Sequence, residues 1–234
     1  MKMTGRIEYH DLGRMSYGEA LELQREAFAS LLEQRDAGDG PAGTVFTVEH
    51  PPVYTLGRNG NVDNMLVSRE RLQASGAEFF RTDRGGDITF HGEGQIVCYP
   101  IMDLSRVGIG LRRYIWLLEE AVMATVAAWG IETCRSEGAS GVWIAGSECG
   151  GHGSLRKICA IGVRSSHGVT MHGLALNVTT DLSRFEVINP CGFTDRGVTS
   201  MFCELGYAPD IAAVRHRLVE ELTLRLGAKQ GGGR

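Results

Sequence analysis

The segment Arg84-Gly85-Gly86-Asp87-Ile88-Thr89-Phe90-His91-Gly92-Glu93-Gly94-Gln95 limits what this chain can fold into more than any other. Two glycine pairs bracket a short strand-like run together with one arginine and one histidine. Glycine lets backbone N–H groups turn toward a bound group with no Cβ in the way. An arginine beside such a turn can fix a carbonyl, a phosphate or a carboxylate. The same residues also suit a tight hairpin with a structural histidine and a surface arginine. The segment is not a Walker loop, because no Gly-Lys-Ser/Thr follows, and its glycine spacing does not fit the dinucleotide fingerprint. Glycine makes up 32 of the 234 residues, about twice ordinary usage. The glycines are spread among apolar runs, which marks places where backbone turns tightly or approaches a ligand.

Periodicity supplies the rest of the framework. Ser16-Tyr17-Gly18-Glu19 has the form of a capping box, and Tyr17, Ala20, Leu21, Ala27, Phe28, Leu31 and Leu32 follow helical spacing to about Arg35. Strands are predicted over 44–49, 53–56, 77–82, 88–90, 95–102, 131–134, 142–145, 157–164 and 174–178, and helices over 69–74, 111–129 and 211–226. Gly130 fits a C-cap. The small, polar stretch Gly146 to Ser154 reads as a flexible loop. With no internal repeat and no long linker, the simplest architecture is one α+β domain over residues 1–230, with a mostly antiparallel or mixed sheet and helices outside it. Residues 231–234, Gly-Gly-Gly-Arg, are expected to be a disordered tail.

Bulk properties exclude several classes. A net charge of −4 argues against a nucleic-acid binder. The N-terminus lacks the apolar core of a secretory signal, and no apolar run approaches the ~18 residues of a membrane span. Six cysteines in a chain of this size without a signal point to the cytoplasm and to free thiols. Cys134, Cys149, His152 and Cys159 would supply four zinc ligands, but there is no Cys-x-x-Cys pair, so no metal is expected.

Three further segments carry chemistry. Lys157 enters the apolar run Ile158-Cys159-Ala160-Ile161-Gly162. Turned inward, such a lysine would lose part of its proton affinity and become a usable base. Turned outward, it would be a strand-entrance lysine in water. His172-Gly173-Leu174-Ala175-Leu176-Asn177-Val178 reads as the wall of an acyl pocket or as an ordinary core strand. In Ile188-Asn189-Pro190-Cys191-Gly192, proline stiffens the turn before a cysteine and glycine leaves one side open. An exposed thiol there becomes a nucleophile once its pKa is lowered, as a nearby lysine would do. Cys98, Cys159 and Cys203 sit in apolar contexts and read as small core residues.

Together with His50-Pro51-Pro52-Val53-Tyr54-Thr55-Leu56-Gly57, these segments resemble the lipoyl(octanoyl) transferases. They occur in family order from Val45 to about Met201. The resemblance implies the fold of the biotin and lipoate protein ligases: a larger mixed sheet, a smaller sheet and flanking helices. It implies transfer of an octanoyl group from octanoyl-acyl carrier protein to a lysine of lipoyl domains, on the E2 subunits of 2-oxoacid dehydrogenases and on the glycine cleavage H protein. It assigns Cys191 as the thioester-forming nucleophile and Lys157 as its acid–base partner. Arg84, Gly85, Gly86, Asp87, Ile88, Thr89, Phe90 and His91, then Ala160, Ile161 and Gly162, then Gly173, Leu174 and Ala175, match the family's substrate-binding segments. No cofactor is implied, because a thioester is already activated and ATP is not needed. Glu93 stands where the family usually has proline, and the stretch 146–154 is longer than usual. Two rivals are an ATP-dependent lipoate or biotin ligase on the same fold, which would not need Cys191, and a non-catalytic module that only holds a lipoyl domain.

Overall fold

The structure is a computed structural model that describes residues 6–34, 40–145, 155–189 and 196–227. Its strands are β1 (Ile7–Arg14), β2 (Gly43–Glu49), β3 (Val53–Leu56), β4 (Glu78–Arg81), β5 (Ile88–His91), β6 (Gln95–Met102), β7 (Cys134–Ser136), β8 (Ala139–Ala145), β9 (Leu155–Ser166), β10 (Val169–Asn177) and β11 (Arg196–Val198). Its helices are α1 (Tyr17–Glu33), α2 (Arg69–Ala74), α3 (Leu104–Val107), α4 (Leu111–Ala127), α5 (Met201–Leu205) and α6 (Ile211–Gly227). The larger sheet runs β1-β2-β6-β10-β9-β8-β7, with β11 beside the start of β9. β1 and β11 pair in parallel and the others antiparallel, so the sheet is mixed. The smaller sheet has the order β4-β3-β5.

The central strands are apolar because both their faces are covered. Every residue of β6 and β10 is buried. Ile96 and Cys98 of β6, with Leu174 and Leu176 of β10, pack with Leu118 and Val122 of α4 and Leu218 and Leu222 of α6. The alternate residues Val97, Tyr99, Met171 and Ala175 pack with Tyr17, Ala20, Leu21 and Leu31 of α1 on the opposite face. The smaller sheet has its own core of Tyr54, Leu56, Phe90 and Ile188, closed by Leu72 of α2. Each fully buried aliphatic or aromatic side chain in these layers contributes about 1.5–3 kcal/mol.

The capping box forms: Ser16 Oγ accepts from Glu19 N–H at 3.3 Å, and Glu19 Oε2 accepts from Ser16 N–H at 3.3 Å. Strand 95–102 and helix 69–74 have the expected bounds. Three differences have physical causes. The strand expected over 131–134 starts only at Cys134, because Ile131 packs into the core at the end of α4. β1 was not expected. It carries polar residues on both faces and sits at the sheet edge, so it lacks the alternation that marks a half-buried strand. β10 begins at Val169 rather than Leu174, because the Thr170 hydroxyl, which donates to Pro100 O at 3.0 Å, satisfies a polar group inside the sheet. The expectation of uniformly free thiols is corrected at Cys203, which is disulfide-bonded. Such pairing requires Cα atoms within roughly 7 Å, a coincidence that sequence spacing does not display. Cys98, Cys134 and Cys159 are free. The stretch 146–154, the Pro190-Cys191-Gly192 turn and the tail 231–234 lie outside the described residues.

Candidate active site

A cavity of about 310 Å³ opens between the two sheets, at the lower end of the range for small-molecule sites. Its floor comes from β6, β9 and β10 and its roof from the loop and strand over 84–91. Ile88, Val97, Ala160, Ile161, Leu174, Ala175 and Phe185 supply an apolar lining, and Lys157 stands on the wall beside Ser140 and Val198. This is the chemistry of a pocket for a short aliphatic chain with an amine at one part of its wall.

A directed chain of hydrogen bonds runs along the cavity from roof to floor. Thr55 Oγ1 accepts from Arg84 Nε at 3.3 Å and Nη2 at 2.9 Å, and its own proton points to His91 Nε2 at 3.3 Å. His91 Nδ1–H donates to Gln95 Oε1 at 2.8 Å, and Gln95 Nε2 donates to Asn177 Oδ1 at 2.8 Å. Asn177 Nδ2 donates to Thr199 O at 2.9 Å, and Thr199 N–H donates to Lys157 O at 3.0 Å. The links from Arg84 to Thr199 O all donate in the same direction through one hydroxyl, one imidazole and two side-chain amides, so each of these polarises the next. Burial pushes His91 down to about 3, which keeps its imidazole neutral, as this chain requires. His50, buried below the cavity, is likewise pushed down to about 4. Its Nδ1–H donates to Met15 O and its Nε2 accepts from Tyr99 OH, both at 2.8 Å.

Arg84 therefore works mainly within the protein. Besides Thr55 Oγ1, its Nη2 donates to Thr55 O at 2.6 Å and its Nη1 to Gly85 O at 3.0 Å. It shapes the roof while remaining on the cavity wall. The roof is docked on β9 by Gly85 N–H donating to Val163 O at 2.9 Å. That approach requires Gly162, since a Cβ there would stand 2.7 Å from Gly85 O. Gly173 is under the same restriction, with a Cβ falling 2.1 Å from Cys98 O. Glu93, in the place of the family's proline, is ion-paired with Arg14 at the surface.

Lys157 reaches the cavity because β9 is bulged. Val142 pairs with Cys159 but the next residue, Trp143, pairs with Lys157, so Ile158 is an extra residue in β9. Without it, Lys157 would share a face with Cys159, which is buried in the core under α4. With it, Ile158 and Cys159 both enter that core, and Lys157 shares the cavity wall with Ala160 and Gly162. A one-residue shift of phase reverses the side on which a strand residue emerges.

Of the residues proposed for substrate, the structure brings Arg84, Gly85, Gly86, Asp87, Ile88, Thr89, His91, Ala160, Ile161, Gly162, Gly173, Leu174 and Ala175 to one cavity, together with Lys157. Phe90 is placed elsewhere. It alternates away from His91 and packs against Tyr54 and Phe185 in the smaller sheet's core. Cys191 lies outside the described residues; Asn189, two positions before it in the chain, donates its N–H to Asn64 O at 2.7 Å. Burial raises the Cys159 thiol to about 12 and the Cys98 thiol further, so both stay protonated core residues. Sequence reading missed Tyr17, Val97 and Tyr99 as cavity residues. Their spacing was fully explained by helix and strand packing, and only the meeting of α1 with β6 gives them a second role.

The model of the lipoyl protein ligase A/B catalytic domain matches residues 5–223. The chain belongs to this family. It is 51% identical over 213 residues to the octanoyltransferase of Bacteroides fragilis, covering 91% of this chain and 95% of that protein. It is 44% identical over 230 residues to the octanoyltransferase of Flavobacterium johnsoniae, covering 94% and 97%. In fold it is similar to a bipartite lipoate protein ligase from Thermoplasma acidophilum, with a TM-score of 0.69 at 16% identity over 96% of this chain and 84% of that one. A lipoate-protein ligase A bound with ATP gives 0.67 at 16% identity, covering 96% and 86%. Biotin protein ligase from Aquifex aeolicus gives 0.51 at 13% identity, covering 94% and 70%. The lipoate and biotin ligase architecture expected from sequence is therefore the one observed.

Proposed function

We propose that this octanoyltransferase of protein lipoylation carries the octanoyl group as a thioester on Cys191, with Lys157 as acid–base partner. Relatives named octanoyltransferase, matched along nearly their whole length, support the reaction class. The observation that carries the reading of the site is Lys157 on the wall of an otherwise largely apolar cavity. The Cys191 thiol gives its proton to Lys157, and the thiolate attacks the thioester carbonyl of octanoyl-acyl carrier protein. The C–S bond to the carrier breaks, and the carrier leaves as its thiol with the proton returned by Lys157. A lysine amine of a lipoyl domain then attacks the Cys191 thioester. The amide forms, Lys157 takes the amine's surplus proton, and that proton restores the Cys191 thiol. Lipoyl domains are the acceptors; among them we propose those of 2-oxoacid dehydrogenase E2 subunits and of the glycine cleavage H protein. We place the reaction in the cytoplasm and assign it to a single catalytic domain.

The test is mass spectrometry of the protein, reduced beforehand, after incubation with octanoyl-acyl carrier protein. One octanoyl group should appear on Cys191 and be removed by hydroxylamine. Unchanged labelling of Cys191→Ala would overturn the assignment. The ATP-dependent ligase reading, which the fold alone also admits, requires pyrophosphate release from ATP with free octanoate. The transferase reading expects none.

A further inference from the structure

We propose that Trp143 is a positioning residue for Lys157, its indole face holding the amine at the cavity wall. This rests on the reading of Lys157 as acid–base partner. Lys157 Nζ stands 4.5 Å from the centroid of the Trp143 ring, within the ~6 Å range of a cation–π contact. The two residues are cross-strand partners at the β8–β9 bulge, so the element that turns Lys157 toward the cavity also sets the ring beside it. Trp143 is 1% exposed and among the largest fully buried side chains. Its ring is a fixed platform, whereas a lysine stem has four rotatable bonds and a large entropy to lose.

The stem is guided as well. It runs past the bare backbone of Gly141, where a Cβ would stand 3.5 Å from Lys157 Cε and 3.7 Å from Cδ. Gly141 is itself anchored. Its N–H donates to Glu119 Oε1 at 3.1 Å, and Glu119 Oε2 accepts from Arg135 Nε at 2.8 Å. β8 thus offers a smooth track followed by an aromatic stop. An aromatic face suits this task chemically. It attracts the ammonium but accepts no proton, so it orients Nζ without competing with the thiol for the proton that Lys157 must take and return.

The experiment measures single-turnover acylation by octanoyl-acyl carrier protein for Trp143→Leu, Trp143→Phe, Lys157→Ala and the double variant Trp143→Leu/Lys157→Ala. Thermal midpoints report folding. In parallel, the rate at which an amine reagent modifies Lys157 is followed by mass spectrometry. Trp143→Leu should slow acylation about tenfold, and Trp143→Phe, which keeps a ring, should recover most of the rate. In the Lys157→Ala background, Trp143→Leu should add less than about a twofold effect, because a residue acting through Lys157 has nothing left to act on. Lys157 should be modified faster in Trp143→Leu than in Trp143→Phe. Effects that multiply in the double variant, or equal modification rates in the two Trp143 variants, would overturn the proposal. Wild-type acylation by Lys157→Ala would instead remove the reading of Lys157 itself, and the modification rates would then decide the contact alone. Trp143→Met replaces Trp143→Leu if the latter does not fold.

Discussion

His172 Nε2 donates to Asp83 Oδ1 at 2.8 Å, and this bond ties the middle of β10 to the loop that roofs the cavity. His172 has φ 64°, which is rare for a residue with a side chain. Its conformation is held from two sides, because its backbone N–H also donates to Gln24 Oε1 of α1 at 3.1 Å. Asp83 is paired in addition with Arg164 of β9 at 2.5 Å. One carboxylate thus joins the roof to two strands of the floor.

Stability should fall as pH drops from neutrality. Burial lowers His50 from 6.5 to about 4, His91 from 6.5 to about 3, and His172 in the same direction. For each, the unfolded chain takes a proton that the native state refuses, so stability is complete above 6.5 and declines below it. Each histidine contributes a slope of up to about 1.4 kcal/mol per pH unit. Asp83, held down to about 2 first by the His172 hydrogen bond and further by Arg164, adds a loss that develops only as pH falls from 3.8 through about 2. Urea unfolding between pH 7 and 4.5 measures the first window, and His50→Gln should flatten it by one histidine's share. A midpoint independent of pH over that range would contradict the buried neutral histidines.

Arg84→Lys should destabilise the fold as well as impair turnover. Lysine cannot reproduce the fork that reaches Thr55 Oγ1, Thr55 O and Gly85 O. Losing hydrogen bonds from a buried charged donor costs about 2 kcal/mol, or roughly 4–8 °C in midpoint for a chain of this size. Differential scanning calorimetry checks this. An unchanged midpoint with lost activity would mean that Arg84 serves substrate alone.

Gly162→Ala should lower octanoyl transfer at least about tenfold in a protein that still folds. Its Cβ would press on Gly85 O from 2.7 Å and on Arg84 Cδ from 3.2 Å, and lifting the roof misplaces the acyl chain. Gly18→Ala is the control. It lies in α1, its Cβ would meet Phe80 at an ordinary 3.7 Å, and it should leave the rate unchanged. Equal rates for the two variants would show that close docking of the roof is dispensable.

Local chemistry made much of the fold legible. The capping box at Ser16, the helix starting at Leu111 and the strand Gln95–Met102 follow from spacing that a packed interior enforces. Residues 84–91, 160–162 and 173–175 are grouped as substrate-binding by the family resemblance, not by their own chemistry, and nothing in their spacing says that Phe90 turns into a different core from His91. β1 stayed hidden because an exposed edge strand needs no alternation.

The order of residues determined which groups are available: an amine entering an apolar run, glycines wherever backbone must come close, and a histidine and an arginine on either side of a short strand. The side to which each group points was decided only in three dimensions. Lys157 stands on the cavity wall because a single extra residue, Ile158, shifts the phase of β9. Arg84 turns inward because Thr55, 29 positions earlier, supplies the acceptors it needs. Both outcomes depend on hydrogen bonds and contacts between strands that are remote in the chain, and the energy of such a pairing is set by geometry that local periodicity does not contain.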